Sequence, residues 1–251
     1  MSPSAAAARP QPSRDVDHAA LVGPYPFRRL PDPTPPALLA GMDRLGVRAA
    51  WVGHVPSAWY RDAAAGNEEL YALLAPHRAR LFPVPAVNPT WPDWERELRR
   101  AVDERCPAVR TYPSHYGFAS HGPAMAALTA ACAEAGLTLV LTIRFEDPRQ
   151  RSRLDVAPDL IGADVRAAVR SDDAARLLVV GADRAVVEEV HWGSTPAEAA
   201  RVSWDISGIW GAPEDHLDHL LRTVGAERFV FGTHFPFRLP ESAAAKLELL
   251  A

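Results

Sequence analysis

Short apolar runs rich in Val, Leu and Ile alternate along this chain with longer stretches whose apolar residues recur every three or four positions. The short runs at 18–22, 49–52, 81–87, 108–111, 137–143, 177–180, 202–206 and 229–231 read as strands. Helical spacing covers 36–45, 67–74, 91–102, 124–135, 163–169, 184–190, 213–224 and 241–250. Pro92 with Asp93 and Glu95, and Pro213 with Glu214 and Asp215, place acidic charge at two helix starts, where it complements the helix dipole. Gly46, Gly136 and Gly225 each follow a helix, where a left-handed cap favours glycine. Eight strands in βα alternation predict a parallel sheet, and right-handed crossovers favour its closure into a single (β/α)8 TIM barrel, an α/β fold. The alternative is a doubly wound open sheet, but no G-x-G-x-x-G fingerprint follows any strand.

Composition narrows the function more than the fold. At 251 residues the chain suits one barrel domain, expected over 17–251, preceded by an Ala-, Pro- and Ser-rich tail over 1–16 that reads as disordered rather than as a signal peptide. The net charge of −4 excludes a dedicated nucleic-acid binder and a basic membrane-surface protein. No stretch reaches the roughly 18 apolar residues of a membrane span. Cys106 and Cys132 form neither a disulfide framework nor a zinc pattern, which suits a reducing, cytoplasmic setting. Lys246 is the lone lysine beside 26 arginines, a bias that points to a GC-rich bacterial genome and weakens any single arginine as evidence of an anion site.

The residues at the strand ends carry a resemblance. Phe229-Val-Phe-Gly-Thr-His-Phe-Pro-Phe is similar to the last-strand ending of the amidohydrolase-related family. Asp17-His-Ala-Ala-Leu-Val-Gly resembles that family's first strand, Phe82-Pro-Val-Pro-Ala-Val-Asn-Pro its third and Ser203-Trp-Asp-Ile-Ser its seventh. The resemblance spans almost the whole chain and implies a metal-dependent hydrolase barrel. Its metal-ligand positions fall on Ala19 and Leu21, on or near Thr142, and on His234 in place of an aspartate, while the sixth strand holds no histidine. A catalytic metal needs about three protein ligands. The expectation is therefore no bound cofactor, the alternative being a single divalent ion such as zinc at a relocated site with His54, His234 and an acidic residue.

In a barrel the chemistry sits at the C-terminal strand ends. His234, whose neutral pKa range lets it act as acid or base, is the expected catalytic residue, with Asp205 to orient it or else to cap loop amides. Arg110 and Arg144 are the expected grip on a carboxylate, although Glu146 and Asp147 make a structural ion pair for Arg144 an open alternative. His54, Asn88, Tyr112 and Trp210 complete the expected substrate-binding set. The connection 144–176, with its basic run from Pro148, is a candidate lid. The reading is a hydrolase or lyase-like enzyme acting on a small carboxylate-bearing molecule. The alternative is a catalytically degenerate barrel that binds a ligand or a partner protein; a homo-oligomer stays open.

Overall fold

The computed structural model describes residues 10–250. Its eight strands are β1 (Val16–Val22), β2 (Ala49–His54), β3 (Leu81–Pro83), β4 (Ala108–Thr111), β5 (Thr138–Thr142), β6 (Arg176–Val180), β7 (Val202–Asp205) and β8 (Phe229–Val230). All neighbouring pairs are parallel, in two runs, β1-β2-β3 and β4 through β8. Main-chain bonds cross both gaps. Arg110 N–H donates to Pro85 O and Val87 N–H to Arg110 O, both at 2.8 Å, while His18 N–H donates to Phe231 O at 2.9 Å and Leu21 N–H to Phe235 O at 2.8 Å. The strands thus follow one another around a ring, and the chain has the TIM-barrel architecture.

Helices return each strand to the next: α1 (Pro35–Leu45), α2 (Ala63–Leu74), α3 (Glu95–Asp103), the short α4 (Pro113–Tyr116) with α5 (Pro123–Glu134), α6 (Gly162–Arg170), α7 (Arg184–Trp192) with the short α8 (Pro196–Ala199), α9 (His216–Leu220) and α10 (Pro240–Glu248). Thr34 caps α1 through its side chain, and Gly46 ends it at φ 70°. The two proline-led helix starts come later than the acidic pattern predicts. Asp93 (φ 59°) and Asp215 (φ 51°) both turn through the left-handed region, so the helices begin at Glu95 and His216. Strand β3 is shorter than its apolar run because Pro83 and Pro85 have no N–H to give a ladder. Of the expected tail, residues 1–9 lie outside the described residues; residues 10–15 lead into β1, with Arg14 paired to Glu248 at 2.8 Å.

Strand alternation sorts the core into layers. Ala20, Val52, Val109, Leu141, Val179 and Phe231 face the helices, meeting Leu38, Leu70, Leu128, Val165 and Val187. Their neighbours Ala19, Trp51, Val84, Ala108, Val140, Leu178 and Val230 fill the barrel interior. A third cluster, with Leu21, Tyr25, Tyr112 and Phe145 at its heart and Phe27, Trp59 and Phe237 packed against it, caps the C-terminal end. No helix among the described residues is long and apolar enough to cross a membrane.

Candidate functional site at the C-terminal mouth

Ala108 on β4 faces the interior and Val109 the helices, so the two-residue period turns Arg110 inward. Arg110 is 1% exposed and its guanidinium makes no well-formed hydrogen bond among the described residues; it lies near the Tyr112 hydroxyl, where it opposes the rise that burial imposes on that phenol. Gly53 on β2 makes the room: a Cβ there would stand 3.5 Å from Arg110 Cζ and Nε and 2.9 Å from Leu21 Cδ2. A buried, unpaired guanidinium costs several kcal/mol of lost hydration unless an anion answers it. Tyr112, two residues on, is buried among the capping rings, stacked on Phe145 at 5.4 Å.

His234 lies at the end of β8, also 1% exposed, with its backbone in the left-handed region at φ 55°. Histidine tolerates that region better than most residues, yet strain of this kind concentrates at functional positions. Its Nε2 stands 2.7 Å from Phe145 O, while Nδ1 has no hydrogen-bond partner among the described residues. A carbonyl only accepts, so Nε2 carries the proton and Nδ1 presents a lone pair. Burial pushes the imidazole down to about 4; Asp205 opposes this, while Arg238 and Arg110 add to it. At neutral pH the side chain is an uncharged base, near enough to Arg110 to feel its charge.

Asp205 does not hold His234. Its Oδ1 accepts from Gly181 N–H at 2.8 Å and its Oδ2 from Ser207 N–H at 2.9 Å, so it fixes the loops after β6 and β7 and reaches His234 only through its charge. The capping role weighed from the Asp-x-Ser sequence is the one the geometry supplies. Asp17, outside the expected set, sits in the same layer. It accepts from Ala19 N–H and Thr233 N–H, each at 3.0 Å, and from Thr233 Oγ1, and desolvation raises its carboxyl to about 6.

The remaining expected residues do not converge. Arg144 is spent on Asp159 at 2.8 Å and Asp183 at 3.2 Å, so it is a structural ion pair and not a free grip. His54 is buried, with Nδ1 3.0 Å from Ser57 Oγ and Nε2 3.6 Å from Glu69, and burial lowers it to about 4; it anchors the turn after β2. Asn88 closes its own turn, accepting from Thr90 N–H and Thr90 Oγ1 and donating to Arg61 O. Trp210 is half exposed and lines an open cleft of about 440 Å³ over the ends of β5 through β8.

The sequence reading missed three parts of this mouth. Arg238 lies four residues beyond His234 in the final loop and lines the same cleft as Trp210. Phe145, Trp59 and Phe237 form the aromatic cap, with ring centroids 5.2 to 5.4 Å from one another where they meet. Glu146 ties that cap down, accepting from Tyr25 OH at 2.8 Å and Arg28 Nε at 2.6 Å. Glu146 was visible only as a local partner for Arg144; its true partners are more than a hundred residues away.

A parallel eight-stranded ring with its titratable groups at the C-terminal strand ends defines a TIM barrel with a candidate site at that face. No family model and no curated protein matches the sequence. Among solved structures, 2,6-dihydroxybenzoate decarboxylase from Rhizobium superposes with TM-score 0.70 at 14% identity, over 94% of this chain and 91% of that one. A probable 2-pyrone-4,6-dicarboxylic acid hydrolase from Acinetobacter baumannii, with citric acid bound, gives 0.65 at 12%, over 95% and 92%. A dihydroxybenzoic acid decarboxylase from Polaromonas, with manganese and 2-nitroresorcinol bound, gives 0.69 at 12%, over 93% and 90%. The resemblance read from the strand ends is therefore matched by the fold.

The Polaromonas structure also corrects the expectation of no cofactor, since a barrel of this shape carries manganese. The residues of this chain do not fit such an ion. Among the described residues no three His, Cys, Asp or Glu side chains are grouped to hold a metal, and Asp17 and Asp205 are engaged with main-chain N–H groups. His54 faces Ser57 and Glu69 while His234 faces Phe145 O, and among the described residues no third donor groups them into the relocated site. The fold and the donor set disagree on this point.

Proposed function

We propose that this barrel acts on a small carboxylate-bearing molecule, as a lyase or a hydrolase, with Arg110 receiving the carboxylate and His234 Nδ1 exchanging the proton. The observation that carries the reading is the guanidinium of Arg110, buried beside the Tyr112 hydroxyl with no carboxylate partner among the described residues. A carboxylate offers the planar pair of acceptors that such a fork matches. The strained backbone and unengaged lone pair of His234, which feels the charge of Arg110, support the second role. The barrels of like fold that act on or bind planar carboxylates, 2,6-dihydroxybenzoate among them, support the substrate class. Entry to Arg110 requires the aromatic cap to open.

The test is conversion of 2,6-dihydroxybenzoate and 2-pyrone-4,6-dicarboxylate, followed by CO2 release and ultraviolet absorbance, with and without added manganese. The expected result is turnover that falls by about 100-fold or more in His234→Gln, with Arg110→Met losing binding of the carboxylate. Turnover unchanged by both substitutions removes the reading. A second reading, a carboxylate-binding barrel without catalysis, is favoured by the engagement of both Asp205 oxygens and by the filled mouth. Arg110-dependent binding with no conversion selects it.

A further inference from the structure

Loops from several strands cover the mouth, and they are not fastened equally. The connection from β5 to α6 is pinned at many points: Arg144 to Asp159 and Asp183, Arg151 to Asp155 and Asp159, and Leu160 N–H to Ile143 O at 3.2 Å. The connection from β1 to α1 is different. Gly23 N–H donates to Pro33 O at 2.8 Å, which closes the neck of a compact surface loop. Beyond that neck, no main-chain hydrogen bond ties residues 24–31 to the rest of the molecule among the described residues. The two polar attachments of this loop converge on one carboxylate: Tyr25 OH donates to Glu146 at 2.8 Å and Arg28 Nε at 2.6 Å. Glu146 is buried and Arg28 is part exposed, so the catch can be reached from one side.

The loop also carries part of the aromatic cap. Tyr25 meets Phe27, Trp59 and Phe237 edge to face, with ring centroids 5.0 to 5.5 Å apart, and Leu30 is buried in the same cluster. Gly23 at φ 97° and Asp32 at φ 31° put a left-handed residue at each end of the loop. Between them Pro24, Pro26 and Pro31 fix φ, so a change of conformation concentrates at the two ends. We propose that residues 24–31 are a rigid flap over the interior site, hinged at Gly23 and Asp32 and held shut by Glu146. The proposal rests on the reading of Arg110 as the interior binding group, since it states how that group is reached. Opening breaks two hydrogen bonds and lifts Tyr25 and Leu30 from the cap, while the strands and the pinned β5 connection stay in place. Leu21 is buried in this cluster, and its Cδ2 and Arg110 Cζ both come within 3.5 Å of the point where a Gly53 Cβ would stand. A probe at Leu21 therefore reports whether the way to Arg110 is open.

Alkylation of a Leu21→Cys variant of the full-length protein by iodoacetamide, followed by mass, tests it. Cys106 and Cys132 are buried, and the parent protein gives their background rate. Ala86→Cys, whose main chain pairs beside Arg110 in the same cluster, is a second reporter, and a thermal melt shows that each is folded. The thiol is expected to react at a rate that low urea barely changes, because flap opening exposes little surface and global unfolding exposes much. Tyr25→Phe and Arg28→Gln, each added to a reporter, raise the rate by about tenfold, the scale of one hydrogen bond to a charged acceptor. Arg151→Gln, which loosens the β5 connection and not the flap, leaves it unchanged. Alkylation that follows the urea dependence of global unfolding overturns the proposal. So does a rate that ignores Tyr25→Phe and Arg28→Gln, or one that Arg151→Gln raises in their place. The reagent carries no carboxylate, so failure here is distinct from failure of turnover at His234 or of binding at Arg110.

Discussion

Arg110 and Arg144 look alike in sequence, each at a strand end in a chain where arginine is nearly the sole basic residue. Their surroundings part them, because Arg144 has two carboxylates and Arg110 has none in ion-pair reach among the described residues. Histidines of this interior share a different trait, that burial holds them neutral. His54 and His234 are each lowered to about 4 from the ordinary 6.5, and burial also lowers His18 and His115. Between those two values the unfolded chain binds protons that the folded chain refuses, so stability falls as pH drops from about 6.5 towards 4. For His54 and His234 the loss is about 3 kcal/mol each when complete. Asp17 works in the opposite sense: with its carboxyl raised to about 6, the folded chain keeps a proton that the unfolded chain releases, which adds stability as pH falls through 6. The histidines outnumber it. Thermal melts from pH 7 to 4.5 are therefore expected to show a falling midpoint, with a shallower fall in His54→Gln. A midpoint that rises over this range contradicts the burial of these groups as neutral species.

At the scale of elements, the period-two and period-3.6 patterns located the strands and main helices because each must bury one face. Their ends were less legible. The starts of α3 and α9 depend on left-handed aspartates, and β3 stops at prolines that its apolar run hides. The connection from β5 to α6 illustrates the other gap. Its basic run reads as a candidate lid, yet Arg149 and Arg151 are paired with Asp147, Asp155 and Asp159, and Glu146 fastens the loop to Tyr25 and Arg28 near the first strand. Substitution Glu146→Leu leaves the Tyr25 hydroxyl buried without its acceptor and should cost about 1 to 3 kcal/mol in urea unfolding. It should also speed proteolysis within residues 147–156. A loop as resistant as in the parent protein shows that Glu146 does not fasten the cap.

At the scale of the whole molecule, closure rests on the seam between β1 and β8. Asp17 lies on one side of it and Thr233 on the other, and the Asp17 carboxylate satisfies two buried N–H groups and one hydroxyl. Asp17→Ala strands those donors and is expected to lower stability by about 2 to 4 kcal/mol, measured by denaturant midpoint. Asn, which keeps one accepting oxygen, is expected to cost less. Equal losses for Ala and Asn point to the charge rather than the donors.

The sequence alone determined the barrel, its strand order and the place of its mouth, because periodic burial and short right-handed connections leave few other ways to cover eight apolar strands. It also brought His234 and Arg110 into consideration by residue type and position. Only the tertiary structure decided which of the candidates are free to act. Partners such as Arg144 with Asp183, Glu146 with Tyr25 and Asp17 with Thr233 meet through folding across 39, 121 and 216 positions. A side chain's availability depends on who else reaches it, and that is a property of packing, which local pattern does not carry.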